Sequence, residues 1–404
     1  MNYPGTLILI MAVAVLAPLL AHGAGRWVRI PLVIFEIVLG ILIGPDVLGW
    51  AHQDEIVEVL SELGLSMLIF LAGYEIEFAA IRGDTLRRSV WAWGFSLALG
   101  LGIALALSGL DLSKSVVIGT ALTSTALGTV LPILRDSGDL RGRFGTVMMA
   151  FGAVGEFGPI IAMAVLLSGR DPGVSTVVLA AFALITAAAI YWALRPHPPW
   201  FAQIIRTTLH TSGQFAVRFV MLLLVAMLAL SHAFGLDVLL GAFAAGLLTR
   251  LVFQGAAPES GDEVLGKVEA MGFGFLVPLF FIVTGINFDL ASLLDGGRAL
   301  LLLPVFLLLF LVVRGLPAYA LAPRDLNPAD RRALALYSST CLPLVVAITT
   351  IGLDEKVLEK GEAAALVGAA MVSVLVFPLL ALRVRAKERK APMPEGPASE
   401  SEAW

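Results

Sequence analysis

The sequence predicts an all-α polytopic membrane protein of thirteen transmembrane helices, arranged as two inverted six-helix repeats joined by a linker helix. Hydrophobic residues make up 58% of the 404 residues and charged residues only 14%, whereas soluble domains carry roughly 25% charged residues. Apolar runs of about 20 residues, the length that crosses a bilayer, recur along the chain. Several motifs of the first half also return in the same order in the second half.

Composition excludes several classes of protein and site. The formal net charge of −4 provides no basic field of the kind that binds nucleic acid. Cys341 is the single cysteine, which excludes an intrachain disulfide and a cysteine metal cluster, and the five histidines form no HxxxH pair. We therefore expect no cofactor and no nucleic-acid partner. The first apolar run lacks a basic leader and a cleavage site, which indicates a retained helix.

The apolar runs define the predicted helices, because unpaired backbone groups are not tolerated in lipid. The predicted spans are residues 5–24, 30–49, 57–78, 89–109, 114–134, 145–169, 174–194, 212–233, 236–253, 270–287, 299–322, 331–352 and 361–382. They predict a first repeat at 1–169, a linker span and loop at 170–211, a second repeat at 212–385 and a disordered tail at 386–404.

The loop charges predict the orientation of the chain. One set of alternate loops and the C-terminal tail hold 20 Lys and Arg residues, whereas the opposite set holds 5. Basic loops remain in the cytoplasm. We expect the N-terminus outside and the C-terminus in the cytoplasm, in a multi-pass protein of the cell membrane.

The internal repeat rests on three matches in the same order. IFLAGYEIEF from Ile69 resembles FIVTGINFDL from Phe281, which aligns Gly73 with Gly285 and Glu77 with Asp289. The Thr123–Thr125 cluster matches the Ser338–Thr340 cluster, and FGPIIA matches FPLLA in the last span of each half. Repeats of opposite membrane topology are common in secondary transporters. Chance similarity between apolar stretches is the alternative.

Two spans are predicted to be interrupted. Thr123, Ser124 and Thr125 precede a Gly and a Pro in the fifth span, and Ser338, Ser339 and Thr340 precede Pro343 in the twelfth. Hydroxyl clusters beside Gly or Pro weaken a helix and expose carbonyl groups. Such backbone at membrane depth can coordinate a cation. The alternative is a kinked helix whose small residues pack against a neighbour.

Glu156 is the acidic residue that stands out, because it lies mid-span in AFGAVGEFGPIIAM. Charged groups at that depth are costly and are usually functional. Since desolvation penalises the charged carboxylate, Glu156 can hold either a proton or a metal cation, which predicts a Na⁺ or K⁺ site that is also a proton site. The alternative is a protonated, structural glutamate.

Arg314 lies within LLLFLVVRGLPAYA in the eleventh span. Because arginine keeps its proton, it needs a partner, and Glu156 is the candidate for charge compensation. Snorkelling to the membrane edge is the alternative. Glu36 precedes Gly40 and Gly44, which favours a role in helix packing. Four acids near span ends, expected to be wet, would shape an access funnel: Glu75, Glu77, Asp237 and Asp289.

Four stretches resemble the Kef-like branch of the second monovalent cation:proton antiporter family, which has the sodium/hydrogen exchanger fold. They are PLVIFEIVLGILIGP (31–45), ELGLSMLIFLAGYEIEF (62–78), LLGAFAAGLL (239–248) and PLFFIVTGINFDL (278–290). The resemblance implies a homodimer with a dimer domain from spans 1–3 and 8–10. It also implies a mobile core from spans 4–6 and 11–13 with two crossed, broken helices, an ion-binding acid at Glu156 and a basic residue at Arg314.

Two positions depart from the family pattern. The family commonly has Asp preceded by Asp, Asn or Gln where this chain has Gly155-Glu156, and Phe35 stands where a Gly usually precedes Glu36. One acid in place of two favours electroneutral exchange, which the membrane potential does not drive.

The predicted function is therefore exchange of Na⁺ or K⁺ for H⁺ across the lipid bilayer. The alternatives are a proton- or sodium-coupled symporter of an anion or organic solute, and a channel-like potassium efflux protein. The spans contain no paired Asp, no GxS with a distant His and no His–acid metal motif, so we do not expect a membrane enzyme.

Overall fold

The structure is a computed structural model. It describes residues 3–24, 30–52, 54–75, 83–140, 142–166, 172–193, 199–256, 258–295 and 297–389. Within these ranges the regular structure is entirely helical, with no strand, which confirms the all-α polytopic fold class. Glu77, which was matched with Asp289 in the repeat, lies outside the described residues.

The helices of the first half are α1 (Tyr3–Ala24), α2 (Leu32–Ile43), α3 (Glu55–Glu75), α4 (Asp84–Leu107), α5 (Leu112–Leu122), α6 (Leu127–Asp136), α7 (Arg143–Leu166), α8 (Pro172–Ala193) and α9 (Pro199–Thr208). The helices of the second half are α10 (Phe215–Ala233), α11 (Val238–Ala256), α12 (Pro258–Met271), α13 (Val277–Ile286), α14 (Leu290–Asp295), α15 (Arg298–Phe310), α16 (Leu316–Leu321), α17 (Pro328–Ser338), α18 (Pro343–Asp354) and α19 (Lys360–Arg389). Two π-helical segments, Gly272–Leu276 and Leu311–Gly315, join α12 to α13 and α15 to α16.

Eleven helical segments of the described chain are long and apolar enough to cross a membrane, counting the interrupted pairs α5/α6 and α17/α18 as one each. Two shorter apolar helices, Leu32–Ile43 and Thr176–Tyr191, fall on the second and seventh predicted spans. The thirteen-span count stays a prediction. The helix α2 is short because it ends at Ile43. The next residue, Gly44, precedes Pro45 and has extended backbone, as the residue before a proline is restricted to.

One part of the bundle is built from α2, α3, α11 and α13. The helix α3 packs against both α11 and α13, and α2 packs against α13. The contact between α2 and α13 is a glycine contact: a Cβ atom on Gly40 would meet the carbonyl oxygen of Ile282 and the Cα of Gly285. Small residues permit such backbone contact in membranes. The GxxxG packing of Gly40 thus occurs in the structure.

The other part contains the two interrupted helices. The helix α19 packs against α15, α17 and α18, while α4 packs against α5 and α7. The buried aliphatic side chains Val117, Ile118, Leu122, Val345 and Ile348 belong to one hydrophobic cluster that joins α5 to α18. Apolar packing therefore holds the segment before the first break, α5, against the segment after the second break, α18.

Ion pairs connect the two sequence halves within this part. Lys114 Nζ lies 2.6 Å from a carboxylate oxygen of Glu362, and both side chains are largely buried. Arg385 pairs with Asp139 and, at 2.7 Å, with Asp330. These contacts join α5 to α19, and join α19 to the α6–α7 connection and to α17.

The division into repeats and linker is not decided by these contacts and stays a prediction. The predicted tail is partly wrong, because residues 386–389 continue α19. The rest of that tail, 390–404, lies outside the described residues. Arg385, directly before residues 386–389, forms ion pairs with Asp139 and Asp330.

Candidate functional site

The fifth predicted span is interrupted between α5 and α6, over residues 123–126. The Thr123 hydroxyl donates to the Thr120 carbonyl at 2.8 Å and the Ser124 hydroxyl donates to the Ala121 carbonyl at 2.8 Å. Both side chains bond carbonyl groups of the last turn of α5, which have no partner inside the helix. The hydroxyl cluster predicted to break the helix therefore stabilises its end.

The twelfth predicted span is interrupted in the same way, between Ser338 and Pro343. The Ser339 hydroxyl donates to the Ala335 carbonyl at 2.8 Å, and the Thr340 hydroxyl donates to the Leu336 carbonyl at 3.2 Å. Pro343 lies in the first turn of α18, where the missing N–H group leaves no hydrogen bond unmade. Both interruptions predicted from the sequence are present.

The two interruptions meet. The Ala126 amide donates to the Thr340 carbonyl at 2.7 Å, and the Thr125 hydroxyl donates to the Ser338 carbonyl at 2.6 Å. The Ser338 hydroxyl itself is buried and has no hydrogen-bond partner among the described residues. The C-terminal ends of α5 and α17 are partly negative and the N-terminal ends of α6 and α18 partly positive. Four helix ends of mixed polarity therefore converge on one buried region.

Glu156 lies on α7 directly beside this crossing and is 1% exposed. The Thr125 amide donates to the Gly155 carbonyl at 2.9 Å, and the amide of Leu127, the first residue of α6, is directed at the Glu156 carboxyl group. The Oε2 atom of Glu156 is buried and has no hydrogen-bond partner within the described part of the chain. A buried, unsatisfied carboxylate oxygen is costly to maintain. Glu156 thus presents a free oxygen ligand at the crossing.

Arg314 lies in the π-helical segment Leu311–Gly315 and is completely buried. Its Nε atom donates to the Thr125 hydroxyl at 2.9 Å and its Nη2 atom donates to the Phe151 carbonyl at 2.6 Å. Burial excludes snorkelling to the membrane edge. Single π-turns often occur at functional sites, because the extra residue redirects a side chain.

The expected direct pair between Arg314 and Glu156 is wrong in this structure, since no ion pair joins these two described residues. Arg314 instead bonds a hydroxyl and a backbone carbonyl, and its Nη1 atom has no partner among the described residues. Neutral oxygens lower the cost of burying the guanidinium without neutralising the Glu156 carboxylate. The acid therefore keeps its free oxygen.

Gly155 explains one departure from the family pattern. A Cβ atom at this position would meet Nη2 of Arg314 and the hydroxyl of Thr125. The space that an Asp, Asn or Gln side chain would need here is filled by the guanidinium group. The spacing Gly152, Gly155, Gly158 on α7 is the sequence signal for such close contact, but the sequence does not indicate which group approaches.

A cavity of about 320 Å³ lies between α3, α6, α7, α11 and α12. Arg135, on α6, lies 2.8 Å from Glu75 on α3 and 3.5 Å from Glu269 on α12. The cavity reaches Met149 on α7, which is two helical turns, roughly 10 Å, from Glu156. It therefore leads toward the crossing and ends short of it.

Glu75 lines this cavity, as expected for an access funnel, but it is less exposed than expected. Its side chain is 12% exposed, and one of its carboxylate oxygens is buried with no hydrogen-bond partner in the ranges that the structure describes. Asp237 and Asp289 are half-buried in the connections before α11 and α14. Desolvation raises the pKa of Asp237, while the Leu239 amide, 2.8 Å from its carboxylate, opposes that shift. Glu77 lies outside the described residues.

The structure brings most of the predicted site residues together. Thr125, Ser338, Thr340, Glu156 and Arg314 meet at the crossing, whereas Thr123, Ser124 and Ser339 bond the helix ends that form it. The sequence did not indicate the Phe151 carbonyl, because every residue carries one. The arrangement supplies carboxylate, hydroxyl and carbonyl oxygens, which are the ligands that hard cations prefer.

Comparison with known proteins gives a match over most of the chain. Residues 11–382 match the family described as sodium/hydrogen exchanger, transmembrane. An Enterococcus hirae Na⁺/H⁺ antiporter is 24% identical over 385 residues, which are 94% of this chain and 97% of that protein. A Bacillus cereus Na⁺/H⁺-K⁺ antiporter, GerN, is 26% identical over 266 residues, which are 64% of this chain and 65% of GerN.

The extent of these matches differs between relatives. A Bacillus subtilis relative, YjbQ, is 26% identical over 403 residues, which are 95% of this chain and 64% of YjbQ. The matched region thus covers less than two thirds of YjbQ and of GerN. The structure of the sodium proton antiporter MjNhaP1 from Methanocaldococcus jannaschii, determined by electron microscopy, shares the fold. Its TM-score is 0.68 at 16% identity, over 98% of this chain and 100% of that one.

Proposed function

This chain belongs to the transmembrane sodium/hydrogen exchanger family, and from that premise we propose that it exchanges Na⁺ or K⁺ for H⁺ across the membrane by alternating access. The observation that carries the proposal is Glu156, a buried carboxylate where two interrupted helices cross, one oxygen of which has no partner among the residues described. Transporters of other folds also bind coupling ions at such interruptions.

In this proposal Glu156 binds a proton and a cation in turn. A protonated carboxyl group satisfies its own burial, because it carries no charge. When the proton leaves, the charged form requires a cation, and we propose that oxygens of Ser338 and Thr340 at the crossing supply the remaining ligands. Because one oxygen cannot hold both ions well, binding of one releases the other.

Arg314 acts as a fixed positive charge in the proposed mechanism. Its bonds to Thr125 and to the Phe151 carbonyl hold α7 and the α5/α6 interruption together. This charge is present with either ion bound. The net charge moved in one cycle then depends on Glu156 alone.

One titrating acid at the site supports electroneutral, one-for-one exchange. A transporter that moves a net charge gains or loses about 2.3 kcal/mol per charge for each 100 mV of membrane potential. With Gly155 in place of a second acid, the proposed cycle moves none. The pH gradient drives it, in keeping with a role in pH homeostasis.

Several finer assignments belong to the same proposal. The four motifs support placement in the Kef-like branch. The loop charges support a position in the cell membrane with the N-terminus outside and the C-terminus in the cytoplasm. The family resemblance supports a homodimer. Its scaffold would contain α1, α2, α3, α10, α11 and α13, and its mobile core would contain α4 to α7 and α15 to α19.

The test is ion exchange by the purified full chain in proteoliposomes that contain a pH-sensitive dye. We expect Na⁺ or K⁺ added outside to move protons, and Glu156→Gln to abolish that movement. Glu58→Gln, the same change at an exposed acid of α3, should leave it intact. Full cation-driven proton movement by Glu156→Gln would disprove the assignment of the site.

The same vesicles separate the alternative functions. A symporter of an anion or organic solute would move protons only when its solute is added. A channel would carry K⁺ without any change in dye signal. Exchange driven by a pH jump at equal K⁺ on both sides, measured with and without valinomycin, tests electroneutrality, since the predicted rate does not change when the potential is held at zero.

A further inference from the structure

A second cavity of about 520 Å³ lies away from the crossing, and we call it the α2–α19 cavity. Its walls come from α1, α2 and α13 on one side and from α6 and α19 on the other. Most of its lining is apolar, and includes Val33, Phe281 and Leu382. This volume is within the range of pockets that hold drug-sized molecules.

Of the described residues that line this cavity, Glu36 is the polar one without a partner. It is 4% exposed, it lines the cavity, and no described residue makes a hydrogen bond or ion pair with it. The other polar lining groups are engaged. The Thr129 hydroxyl donates to the Ala126 carbonyl at 2.9 Å, the Ser137 hydroxyl to the Leu134 carbonyl at 3.1 Å, and Arg135 pairs with Glu75 and Glu269.

Helix packing does not account for this acid. The close contact between α2 and α13 is made by Gly40 and Gly285, one turn away from Glu36. A carboxyl group buried in an apolar wall without a partner is costly, and intramembrane acids of this kind are usually functional. What it lacks is a positive charge, and what surrounds it is apolar surface.

We propose that the α2–α19 cavity binds a lipophilic amine, with its ammonium group paired to Glu36 and its apolar body against the walls. The two features of the site require two features of the ligand. A small hydrated cation would leave the apolar walls unsatisfied, and a neutral lipid chain would leave Glu36 unpaired. An amine with an aryl or alkyl body satisfies both.

The position of the cavity implies that a bound ligand inhibits exchange. This consequence rests on the proposed function. The α1, α2 and α13 wall belongs to the proposed scaffold, and the α6 and α19 wall belongs to the proposed mobile core. A ligand held by both walls resists their relative movement. The amine therefore inhibits exchange without competing with Na⁺ or K⁺ at Glu156.

Binding is tested first, on the purified full chain in detergent, by equilibrium binding of radiolabelled 4-phenylbutylamine. The alcohol 4-phenylbutan-1-ol has the same body without the charge and serves as the competitor control. We expect the alcohol to bind at least tenfold more weakly than the amine. Glu36→Gln should weaken amine binding at least tenfold, and Glu58→Gln should not change it.

A second variant keeps the acid and fills the space. Leu379 lines the cavity from α19 and is half-buried, so Leu379→Trp should also weaken amine binding at least tenfold. This variant decides the question if Glu36→Gln does not fold. The melting temperature of each unliganded variant reports whether it is folded.

Inhibition is tested next, in the proteoliposomes. The amine should lower the maximal exchange rate of the wild type without changing the cation concentration at half-maximal rate, and Leu379→Trp should be resistant. Amine binding at Glu36 by a chain that shows no exchange would refute the proposed function and leave the site standing. Exchange by a chain that binds no amine would refute the site alone.

Two further results would overturn the proposal. Equal binding of the amine and the alcohol, unaffected by Glu36→Gln, would show that the cavity binds uncharged lipid chains and does not recognise the ammonium group. Phospholipid that copurifies with the wild type, is retained by Glu36→Gln and is lost from Leu379→Trp would lead to the same conclusion.

Discussion

Replacing Gly155 by alanine tests the geometry of the site with a single methyl group. The added Cβ atom would meet Nη2 of Arg314 and the hydroxyl of Thr125. Both groups are completely or almost completely buried, so neither has free space into which to move. We expect the guanidinium group to be displaced from the Phe151 carbonyl, to which it donates at 2.6 Å.

The magnitude follows from three terms. A hydrogen bond to a charged group contributes about 1.5–3 kcal/mol, and forcing an extra methyl group into a packed core costs about 1–3 kcal/mol. Alanine in a helix interior recovers roughly 0.5–1 kcal/mol relative to glycine. Because the first two terms describe partly the same displacement, we expect a net loss of about 2 kcal/mol.

The assays are the melting temperature of the purified chain and the exchange rate in proteoliposomes. Gly102→Ala is the matched control, because Gly102 lies on α4 and a Cβ atom there meets no atom within 4 Å. It should be neutral or slightly stabilising. Gly155→Ala should melt lower and exchange at least about tenfold more slowly, a factor that corresponds to 1.4 kcal/mol. Equal stability and equal rates for the two variants would refute the packing of Arg314 against Gly155.

Three further changes have defined outcomes. Lys114→Gln should lower the free energy of unfolding by about 2–3 kcal/mol, because it leaves the Glu362 carboxylate buried without its cation. In a thermal melt, Lys114→Arg should recover part of this loss. Arg385→Gln should lower it by about 3 kcal/mol by leaving Asp139 without its cation, and adding Asp139→Asn should raise the melting temperature again. Burial raises the pKa of Asp237, so its charged form lowers the stability of the folded chain at neutral pH. Asp237→Asn keeps the cap on α11 and should therefore raise the melting temperature at neutral pH. Below the ordinary pKa of aspartate it should lose this advantage, as melts at both pH values would show.

The interrupted helices were predictable because their cause is local. Hydroxyl side chains and Pro343 bond or block backbone groups within one helical turn, so the pattern is readable in a few consecutive residues. Glu156 was predictable for a related reason. A charge in the middle of a long apolar run is improbable unless it serves the function of the protein.

The partners of Arg314 were not predictable. The expected partner was Glu156, because it is an acidic residue in the middle of a span. In the structure Arg314 instead donates hydrogen bonds to the Thr125 hydroxyl and the Phe151 carbonyl. A backbone carbonyl leaves no trace in the sequence. The π-helical segment Leu311–Gly315, which redirects the side chain, also has no local signature.

The sequence by itself determined the lengths of the apolar helices, the positions of the helix breaks, the buried acids and the loop charges. Each of these depends on residues that are neighbours in the chain. Which groups meet across the bundle depended on how helices from opposite halves pack. Gly155 lies against Arg314, Ala126 bonds Thr340, and Glu36 faces a cavity instead of a helix. These contacts join residues far apart in the chain, and their geometry follows from close packing, to which all side chains contribute at once.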